Sequence, residues 1–305
     1  MSIKTSLIIP TRNRAGILRL ALPRMLDQTV PSAEFEIIVV DNASEDDTEA
    51  VVKAIDSPHI VYRRQEKRTA ASGARNRAIA LAKGELLLFV DDDALVRNDF
   101  IEQHLESHRT HPNVVVTGPI IDCTEPPVEA NPEPGRWLGR HANPFPTCNA
   151  SVRKDTVLEA GGFDEGFTTY GWEDPEMYRR LLAKGVSRQY NWRAPIWHCK
   201  PGTYHRGFFQ RLDLEESRGA MGAYYYAKHP TFGVAFETKQ HALWRGLDRL
   251  VAPLLGLDAR IAEARRTGVE PSSGLMQLLM INHTEIEAGR RMRAKLNRGD
   301  GAATP

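Results

Sequence analysis

A chain of 305 residues, 41% hydrophobic and 26% charged, has the composition of a globular protein with a core large enough for about one and a half to two domains. Its formal net charge of +1 gives no reason to expect a nucleic-acid partner. The three cysteines show no CxxC spacing, which indicates reduced thiols in a cytosolic protein. The N-terminal apolar run breaks at Pro10, too early for a signal peptide, and no stretch reaches the roughly 18 apolar residues of a membrane span. We therefore expect a cytoplasmic protein.

Short apolar runs in the first hundred residues predict buried strands. They are TSLIIP (5–10), FEIIVVD (35–41) and ELLLFVD (85–91). Runs rich in Ile, Val and Leu that end at Pro or Asp are typical of parallel strands buried on both faces.

Helical spacing of apolar residues fills the gaps between these strands. It predicts helices at 15–28, 46–55 and 72–83, the last with Ser72 as its N-cap. Strand–helix alternation implies right-handed crossovers, and the predicted fold class is α/β with a doubly wound, mostly parallel, Rossmann-like sheet.

The pattern is more mixed after residue 100. We predict, in chain order, a helix at 99–110, a strand at 113–121, a loop at 122–146, a strand at 149–152 and a helix at 174–183. The loop is rich in Pro, Glu and Asn, as expected for a mobile flap. The remaining chain predicts helices at 204–229, 235–260 and 271–297.

Polar clusters follow each of the first strands. TRNR follows the strand at 5–10, DNAS follows the strand at 35–41, and DDDA ends the run at 85–91. Ligands of doubly wound sheets bind at the carboxyl ends of the strands, so these clusters are expected on one rim. Asp91, Asp92 and Asp93 would suit a hard divalent cation there, or they form a solvated turn.

Other candidate residues also allow two interpretations. Asp41 either accepts from a nucleotide base or only shapes its turn, and Arg75 either neutralises a diphosphate or pairs with a carboxylate. In GWEDPEMYRRL, Trp172 offers a face for a sugar ring, while Glu173 and Asp174 either hold its hydroxyls or favour the helix dipole. His198 is a ligand or an ordinary core or surface histidine.

Taken together, these segments resemble the family 2 inverting glycosyltransferases with the GT-A fold. The resemblance spans roughly residues 5–200 and rests on IIPTRNR, VVDNASEDDT, GARNRAI, FVDDDA, GGFDEGF and GWEDPEMYRRL in the expected order. The block at 161–181 also resembles the C-terminal module shared with galactosyltransferase-type enzymes. The implied organisation is a GT-A domain at 1–200 and a helical C-terminal extension at 201–305. Within the domain, 1–100 would bind the nucleotide sugar and 101–200 the acceptor.

The resemblance also implies site residues. A nucleotide-sugar site would comprise Pro10, Thr11, Arg14, Asp41, Arg75, Asp91, Asp92 and Trp172. Asp93 and His198 would bind Mn²⁺ or Mg²⁺. Asp174 would be the catalytic base, and Glu173 would bind the acceptor or the sugar.

The implied reaction is transfer of a sugar, with inversion, from a nucleotide diphosphate sugar to an acceptor hydroxyl. The family's commonest donor nucleotide is UDP, and the acceptor would be a carbohydrate, a lipid-linked molecule or a small molecule. One alternative function is that of a sugar nucleotidyltransferase, but the Gly-rich loop expected after the first strand of such an enzyme is lacking. The other alternative is a non-catalytic nucleotide-sugar-binding module.

The C-terminal helices combine leucines with a later run of basic residues. The apolar residues include Trp244, Leu247, Leu250 and Leu254, and arginines follow from residue 290. This composition is compatible with peripheral contact at the inner face of a membrane. The alternative is packing against the catalytic domain or against a second subunit in a homodimer.

Overall fold

The structure is a computed structural model and describes residues 3–127, 129, 131, 143–200 and 207–299. The chain forms two compact units. The first comprises Met1–Glu165 with Asp174–Tyr204, and the second comprises Gly166–Glu173 with His205–Pro305. The second unit thus takes a short internal segment in addition to the C-terminal region. The assignment of donor and acceptor halves to 1–100 and 101–200 stays a prediction.

The first unit is built on two sheets. The strands of the described residues are β1 (Thr5–Thr11), β2 (Phe35–Asp41), β3 (Ile60–Arg64), β4 (Leu86–Val90), β5 (Ala94–Val96), β6 (Val114–Thr117), β7 (Ile120–Cys123), β8 (Asn149–Arg153), β9 (Ser187–Tyr190) and β10 (Ile196–Cys199). The larger sheet has the order β3-β2-β1-β4-β8-β6-β9, and the smaller one has the order β5-β10-β7. In the larger sheet only β8 runs antiparallel to its neighbours.

Helices cover the larger sheet and make up most of the second unit. They are α1 (Ala15–Leu26), α2 (Thr48–Ala54), α3 (Ala71–Leu81), α4 (Phe100–Thr110), α5 (Lys154–Glu159), α6 (Glu173–Ala183), α7 (Phe208–Lys228), α8 (Phe232–Glu237), α9 (Ala242–Leu255), α10 (Leu257–Thr267) and α11 (Gly274–Asn297). The predicted fold class is confirmed: it is α/β with a mostly parallel central sheet and a helical C-terminal region.

The central strands are buried on both faces because alternate side chains enter different cores. Leu7 and Ile9 of β1 pack in one core, and Ile8 between them packs in the other. Every residue of β2 and β4 is buried. Each fully buried Leu or Ile contributes about 1.5–3 kcal/mol, so these strands form a rigid platform for the groups at their ends.

The strand predicted at 113–121 is wrong, because the chain divides there between two sheets. β6 belongs to the larger sheet and β7 to the smaller one. Pro119, between them, has no N–H to donate to a ladder. A side chain at Gly118 would collide with the backbone of Ala194. The chain therefore changes sheets at these two residues, and β7 delivers its end to the smaller sheet.

The N-cap prediction for Ser72 is also wrong. α3 begins at Ala71 with Ala70 as its N-cap, and Ser72 is buried inside the helix. The amide of Asn42 donates to Thr69 O and accepts from Thr69 N, at 2.8 Å each. These bonds fix the chain immediately before α3, so the helix begins earlier than the local sequence indicates.

In the second unit, α7 and α11 agree with the described part of the helices predicted at 204–229 and 271–297, and they pack closely against each other. A side chain at Gly219 would collide with the backbone of Glu285. The single helix predicted at 235–260 is wrong, since α8, α9 and α10 occupy that range. Lys239, with φ 56°, and Gly256, with φ 60°, lie in the left-handed region and separate them.

Leucines of α9 form an exposed row on this helix. They are Leu243, Leu247, Leu250 and Leu254. No described helix is long and apolar enough to span a membrane. The flap predicted at 122–146 falls largely outside the described residues.

Candidate functional site

The polar residues after β1 and β4 meet at the carboxyl end of the larger sheet. Thr11 Oγ1 donates to Asp92 Oδ2 at 2.6 Å. Arg14 Nε lies 3.7 Å from Asp92 Oδ1, and its Nη2 lies 3.7 Å from Asp93 Oδ2. Pro10 precedes Thr11 within β1. The expected common rim of TRNR and DDDA is therefore present.

Burial makes this row of aspartates costly to ionise. Burial raises the pKa of Asp92 to about 7; the Thr11 hydroxyl lowers it and the charge of Asp93 raises it. Loss of hydration also raises the pKa of Asp91, although a third of its side chain (33%) remains exposed. Arg75 and His198 oppose this rise through their positive charge. A cation placed here would relieve the repulsion among the carboxylates.

The smaller sheet holds His198 against these aspartates. Central strand β10 places His198 opposite Ala94 of β5, the residue after Asp93. Its Nε2 lies 2.7 Å from Asp93 Oδ1 and 3.7 Å from Asp91 Oδ2. Burial by itself lowers the pKa of His198, but the Asp93 carboxylate outweighs it and the pKa is raised overall.

Asp91, Asp93 and His198, hereafter the rim cluster, fit a divalent cation. Their ligand atoms all lie within 4.8 Å of one another. Asp93 Oδ1 is buried and accepts no hydrogen bond from the described residues, despite the nearby imidazole nitrogen. A buried acceptor without a donor is costly unless something else satisfies it. The residues predicted to bind metal thus come together, whereas Asp92 faces Thr11.

Asp41 is fully buried at the end of β2 and bonded on both oxygens. Oδ1 accepts from the backbone N–H of Ser44 at 2.8 Å, and Oδ2 accepts from the hydroxyl of Tyr62 at 2.5 Å. Arg64 Nε lies 4.0 Å from Oδ2. Both Tyr62 and Arg64 come from β3, which the sequence reading missed. The β-branched and aromatic run IVY (60–62) was the available signal for a strand.

Asp174 lies in the first turn of α6, and several donors hold its carboxylate. Thr147 Oγ1 lies 3.1 Å from each oxygen, and Thr147 N donates to Oδ2 at 3.2 Å. The Asn143 amide also donates to Oδ2, at 3.1 Å. The segment NPFPT (143–147) has neither helical nor strand periodicity, so the sequence pattern marked neither residue.

Arg75 links the two acidic groups of the first unit. Its Nη1 lies 3.8 Å from Asp174 Oδ1, and its charge also lowers the pKa of Asp91. The guanidinium stands 5.5 Å from the ring centroid of Phe163, and 8% of the side chain is exposed. Of the two interpretations of Arg75, pairing with a carboxylate is therefore the one seen in the structure.

Cys148 lies near the same groups. Burial raises the pKa of Cys148 well above its usual value, and the carboxylates of Asp91 and Asp174 raise it further. Its thiol is therefore held neutral.

Trp172 and Glu173 belong to the second unit. The Trp172 Nε1 donates to Arg218 O at 2.9 Å, and its ring stacks on Tyr225 with centroids 6.1 Å apart. The Arg218 guanidinium stands 5.1 Å from the indole centroid. Trp172 has φ 71°, which is strained for a bulky residue, and Glu173 Oε2 accepts from Gly171 N at 3.1 Å. The indole thus packs within its unit, while its sugar-binding role stays a prediction.

Family comparison identifies the class of protein to which this fold and site belong. Residues 6–163 match the family described as glycosyl transferase family 2. The chain therefore belongs to glycosyl transferase family 2. A second match, described as N-terminal domain of galactosyltransferase, covers residues 139–230. Both resemblances seen in the sequence are confirmed.

Curated relatives carry glycosyltransferase names. The chain is 29% identical over 244 residues to the uncharacterized glycosyltransferase YfnE of Bacillus subtilis, with 61% of this chain and 62% of the relative covered. It is 32% identical over 218 residues to validoxylamine A glucosyltransferase of Streptomyces hygroscopicus subsp. jinggangensis, with 59% and 52% covered. The chain thus spans between half and two thirds of the length of these relatives.

Solved structures share the fold over nearly the whole chain. The mannosyltransferase PcManGT from Pyrobaculum calidifontis, in complex with GDP-Man and Mn²⁺, has a TM-score of 0.60 at 20% identity and covers 96% of this chain and 88% of its own. S. aureus TarS in complex with UDP-GlcNAc has a TM-score of 0.56 at 18% identity, with 97% and 92% covered. At these identities the likeness concerns the fold, and the GT-A prediction is confirmed.

Proposed function

We propose that the protein is a metal-dependent inverting glycosyltransferase of the hexosyltransferase class, which moves a sugar from a nucleotide diphosphate sugar to an acceptor hydroxyl. The observation that carries this proposal is the rim cluster with its unsatisfied Asp93 Oδ1. Arg75 connects it to a second, well-oriented carboxylate at Asp174. A charge-neutralising site and a base in one unit are what displacement of a diphosphate by a hydroxyl requires.

Asp91, Asp93 and His198 would hold the cation. Carboxylates suit both Mg²⁺ and Mn²⁺, whereas imidazole is a more usual ligand of transition metals, so the mixed set favours Mn²⁺. The Mn²⁺ complex of the PcManGT neighbour supports this choice. When bound, the cation would stabilise the negative charge that develops on the departing diphosphate.

The nucleotide would lie across the ends of β1 and β2. Thr11 and Arg14 stand beside the aspartates, and buried Asp41 is oriented by Ser44 and Tyr62. We propose UDP as the nucleotide, which the UDP-GlcNAc complex of TarS supports. GDP-Man is bound by the other neighbour, so guanosine nucleotides belong in any test. Pro10 and Asp92 would line the same pocket.

Asp174 would be the general base. Bonds from Thr147 and Asn143 fix its carboxylate, and Arg75 Nη1 lies 3.8 Å from its Oδ1. The base would take the proton of the acceptor hydroxyl as its oxygen attacks the anomeric carbon from the face opposite the diphosphate. Direct displacement inverts the anomeric configuration and needs no protein nucleophile. Glu173 and Trp172 would contact the acceptor or the transferred sugar.

The acceptor would be a carbohydrate, a lipid-linked molecule or a small molecule. The exposed leucines of α9 would either contact an anionic membrane surface or pack against a second copy of the chain. Flotation with anionic vesicles tests the first alternative, and light scattering of the purified protein tests the second. A Leu250→Gln variant should weaken whichever contact is observed.

A panel of UDP-, GDP- and TDP-sugars with and without Mn²⁺ tests the proposed function. One donor should raise the melting temperature only when Mn²⁺ is present, and it should be hydrolysed slowly or transferred. NMR of the product should show an inverted anomeric centre. Release of pyrophosphate from a nucleoside triphosphate and a sugar 1-phosphate would instead identify a nucleotidyltransferase. Binding without any turnover would identify a non-catalytic module.

A further inference from the structure

The smaller sheet brings a carboxylate outside the rim cluster against its histidine. In the parallel pair of β7 and β10, Asp122 lies directly opposite His198. Asp122 Oδ1 is 3.3 Å from His198 Nδ1, while His198 Nε2 faces Asp93 and Asp91. The two ring nitrogens therefore face different carboxylates on opposite edges of the imidazole.

This arrangement matters because a histidine binds a metal through a nitrogen without a proton. A neutral imidazole carries one N–H, and the hydrogen-bond partner of that N–H decides which nitrogen keeps its lone pair. If Nδ1 donates to Asp122, the lone pair is on Nε2 and points toward Asp93. The opposite tautomer would place a proton where the cation must bind.

We propose that Asp122 is a positioning residue that fixes the tautomer and ring orientation of His198 for metal binding. This inference rests on the proposed function, since it assigns Asp122 a role only if the rim cluster binds a cation. Asp122 is not itself a ligand, because it faces the nitrogen on the far side of the ring from Asp93. No local sequence pattern marks Asp122.

Lys200 sets the strength of this contact. Its Nζ lies 3.0 Å from the same Asp122 Oδ1, so the carboxylate divides its charge between the ammonium and the imidazole. The Asp122 side chain is also 43% exposed, and water competes for it. Outer carboxylates of metal-binding histidines typically change metal affinity about 10–100-fold, and we expect the lower end, about 10-fold.

Binding of Mn²⁺ alone, followed by the EPR signal of the free ion, tests the proposal without any catalytic assay. Asp122→Ala should weaken Mn²⁺ binding about 10-fold, and Asp122→Asn should weaken it less, because the amide oxygen still accepts from Nδ1. Asp155→Asn is the matched control: Asp155 is similarly exposed and pairs with Arg153 on the same unit. This control removes one charge and should leave the affinity unchanged.

A second readout separates orientation from simple charge loss. In metal-free protein at alkaline pH, ¹⁵N NMR should show His198 protonated on Nδ1 in the wild type and as a mixture of tautomers in Asp122→Ala. If that variant does not fold, Asp122→Leu, which has a similar size and accepts no hydrogen bond, carries both measurements. Equal Mn²⁺ affinity and the same tautomer in the wild type and the folded variants would overturn the role of Asp122. A wild-type protein that binds no Mn²⁺ would overturn the proposed metal site, and this inference with it.

Discussion

Among the described residues, two groups of one histidine and two carboxylates have ligand atoms close enough together for a metal ion. One is the rim cluster in the first unit, and the other, hereafter the helix cluster, comprises Asp248, His283 and Glu287 in the second. The two clusters are alike in the distances between their ligand atoms, but they differ in their hydrogen bonds.

In the helix cluster the contacts are already satisfied. His283 Nδ1 lies 2.9 Å from Asp248 Oδ1, and its Nε2 lies 3.2 Å from Asp258 Oδ1. The hydrogen bond to Asp248 raises the pKa of His283, and Glu287 accepts from Arg290. Because Asp248, Asp258 and His283 come from α9, α10 and α11, the cluster ties these helices together. In the rim cluster, by contrast, buried Asp93 Oδ1 accepts no hydrogen bond from the described residues, although His198 Nε2 lies 2.7 Å away. This oxygen, more than the proximity of the ligand atoms, makes the rim cluster the one proposed to bind a metal ion.

The sharpest test of this comparison is to remove one carboxylate from each cluster. Asp93→Ala should abolish measurable Mn²⁺ binding and lower turnover by more than about 10³-fold, because several kcal/mol of charge stabilisation is lost. Titration calorimetry and a transfer assay measure the two effects. Asp248→Asn is the matched change in the helix cluster and should leave both values unchanged per folded molecule. Full activity in EDTA would contradict the assignment.

A second test separates chemistry from binding within the first unit. Asp174→Asn keeps the size and most hydrogen bonds of the side chain but removes the proton acceptor, so kcat should fall about 10²–10⁴-fold with little change in donor affinity. Glu173→Gln should act mainly on the acceptor KM. If Asp174 only favours the dipole of α6, the change should cost well under about 1 kcal/mol of stability and leave kcat near normal.

The helix cluster should show its role in stability. His283→Ala removes a buried, charge-assisted hydrogen bond to Asp248 and should lower the free energy of unfolding by about 1.5–3 kcal/mol. Hydrogen exchange should rise in α9, α10 and α11. Asp258→Asn removes only a highly exposed partner (89%) and should cost less than about 1 kcal/mol. Mn²⁺ affinity that falls in either variant would refute the division of roles.

The smallest expected effect is a difference in pH dependence between the units. Burial, with the charge of His108, lowers the pKa of His104 in the first unit from 6.5 to about 3. The contribution of neutral His104 to the free energy of unfolding is therefore present above pH 6.5 and is lost as the pH falls toward 3. The loss should be about 1–2 kcal/mol between pH 6.5 and pH 5. Urea unfolding at both pH values should show the loss, and His104→Gln should reduce it.

His283 should act in the opposite direction. The pKa of His283 is raised above 6.5 in the folded protein. Its contribution to the free energy of unfolding is therefore fully present below pH 6.5 and is lost as the pH rises through that raised pKa. Exchange in α9–α11 should therefore increase on the alkaline side. An increase on the acid side instead would argue against this assignment.

Much of the fold could be predicted because it follows from local pattern. Uninterrupted apolar runs gave β1, β2 and β4 nearly to the residue, and helical spacing gave α1, α4 and α11. The points at which one strand or helix ends and the next begins were harder to predict. Gly118 and Pro119 divide one apolar run between two sheets, and Lys239 and Gly256 divide one amphipathic stretch into three helices. A positive φ at a lysine or a change of sheet depends on distant contacts, which periodicity does not record.

The sequence by itself determined which chemistry the rim could carry. Polar residues that end buried parallel strands must gather at one edge, so the meeting of Thr11 and Asp92, 81 positions apart, followed from strand order. Only the tertiary structure decided the partners of each group: Tyr62 for Asp41, Thr147 and Arg75 for Asp174, and Asp122 for His198. The physical reason is that these partners are selected by packing across the fold, where burial makes every unpaired polar atom costly, and not by any spacing along the chain.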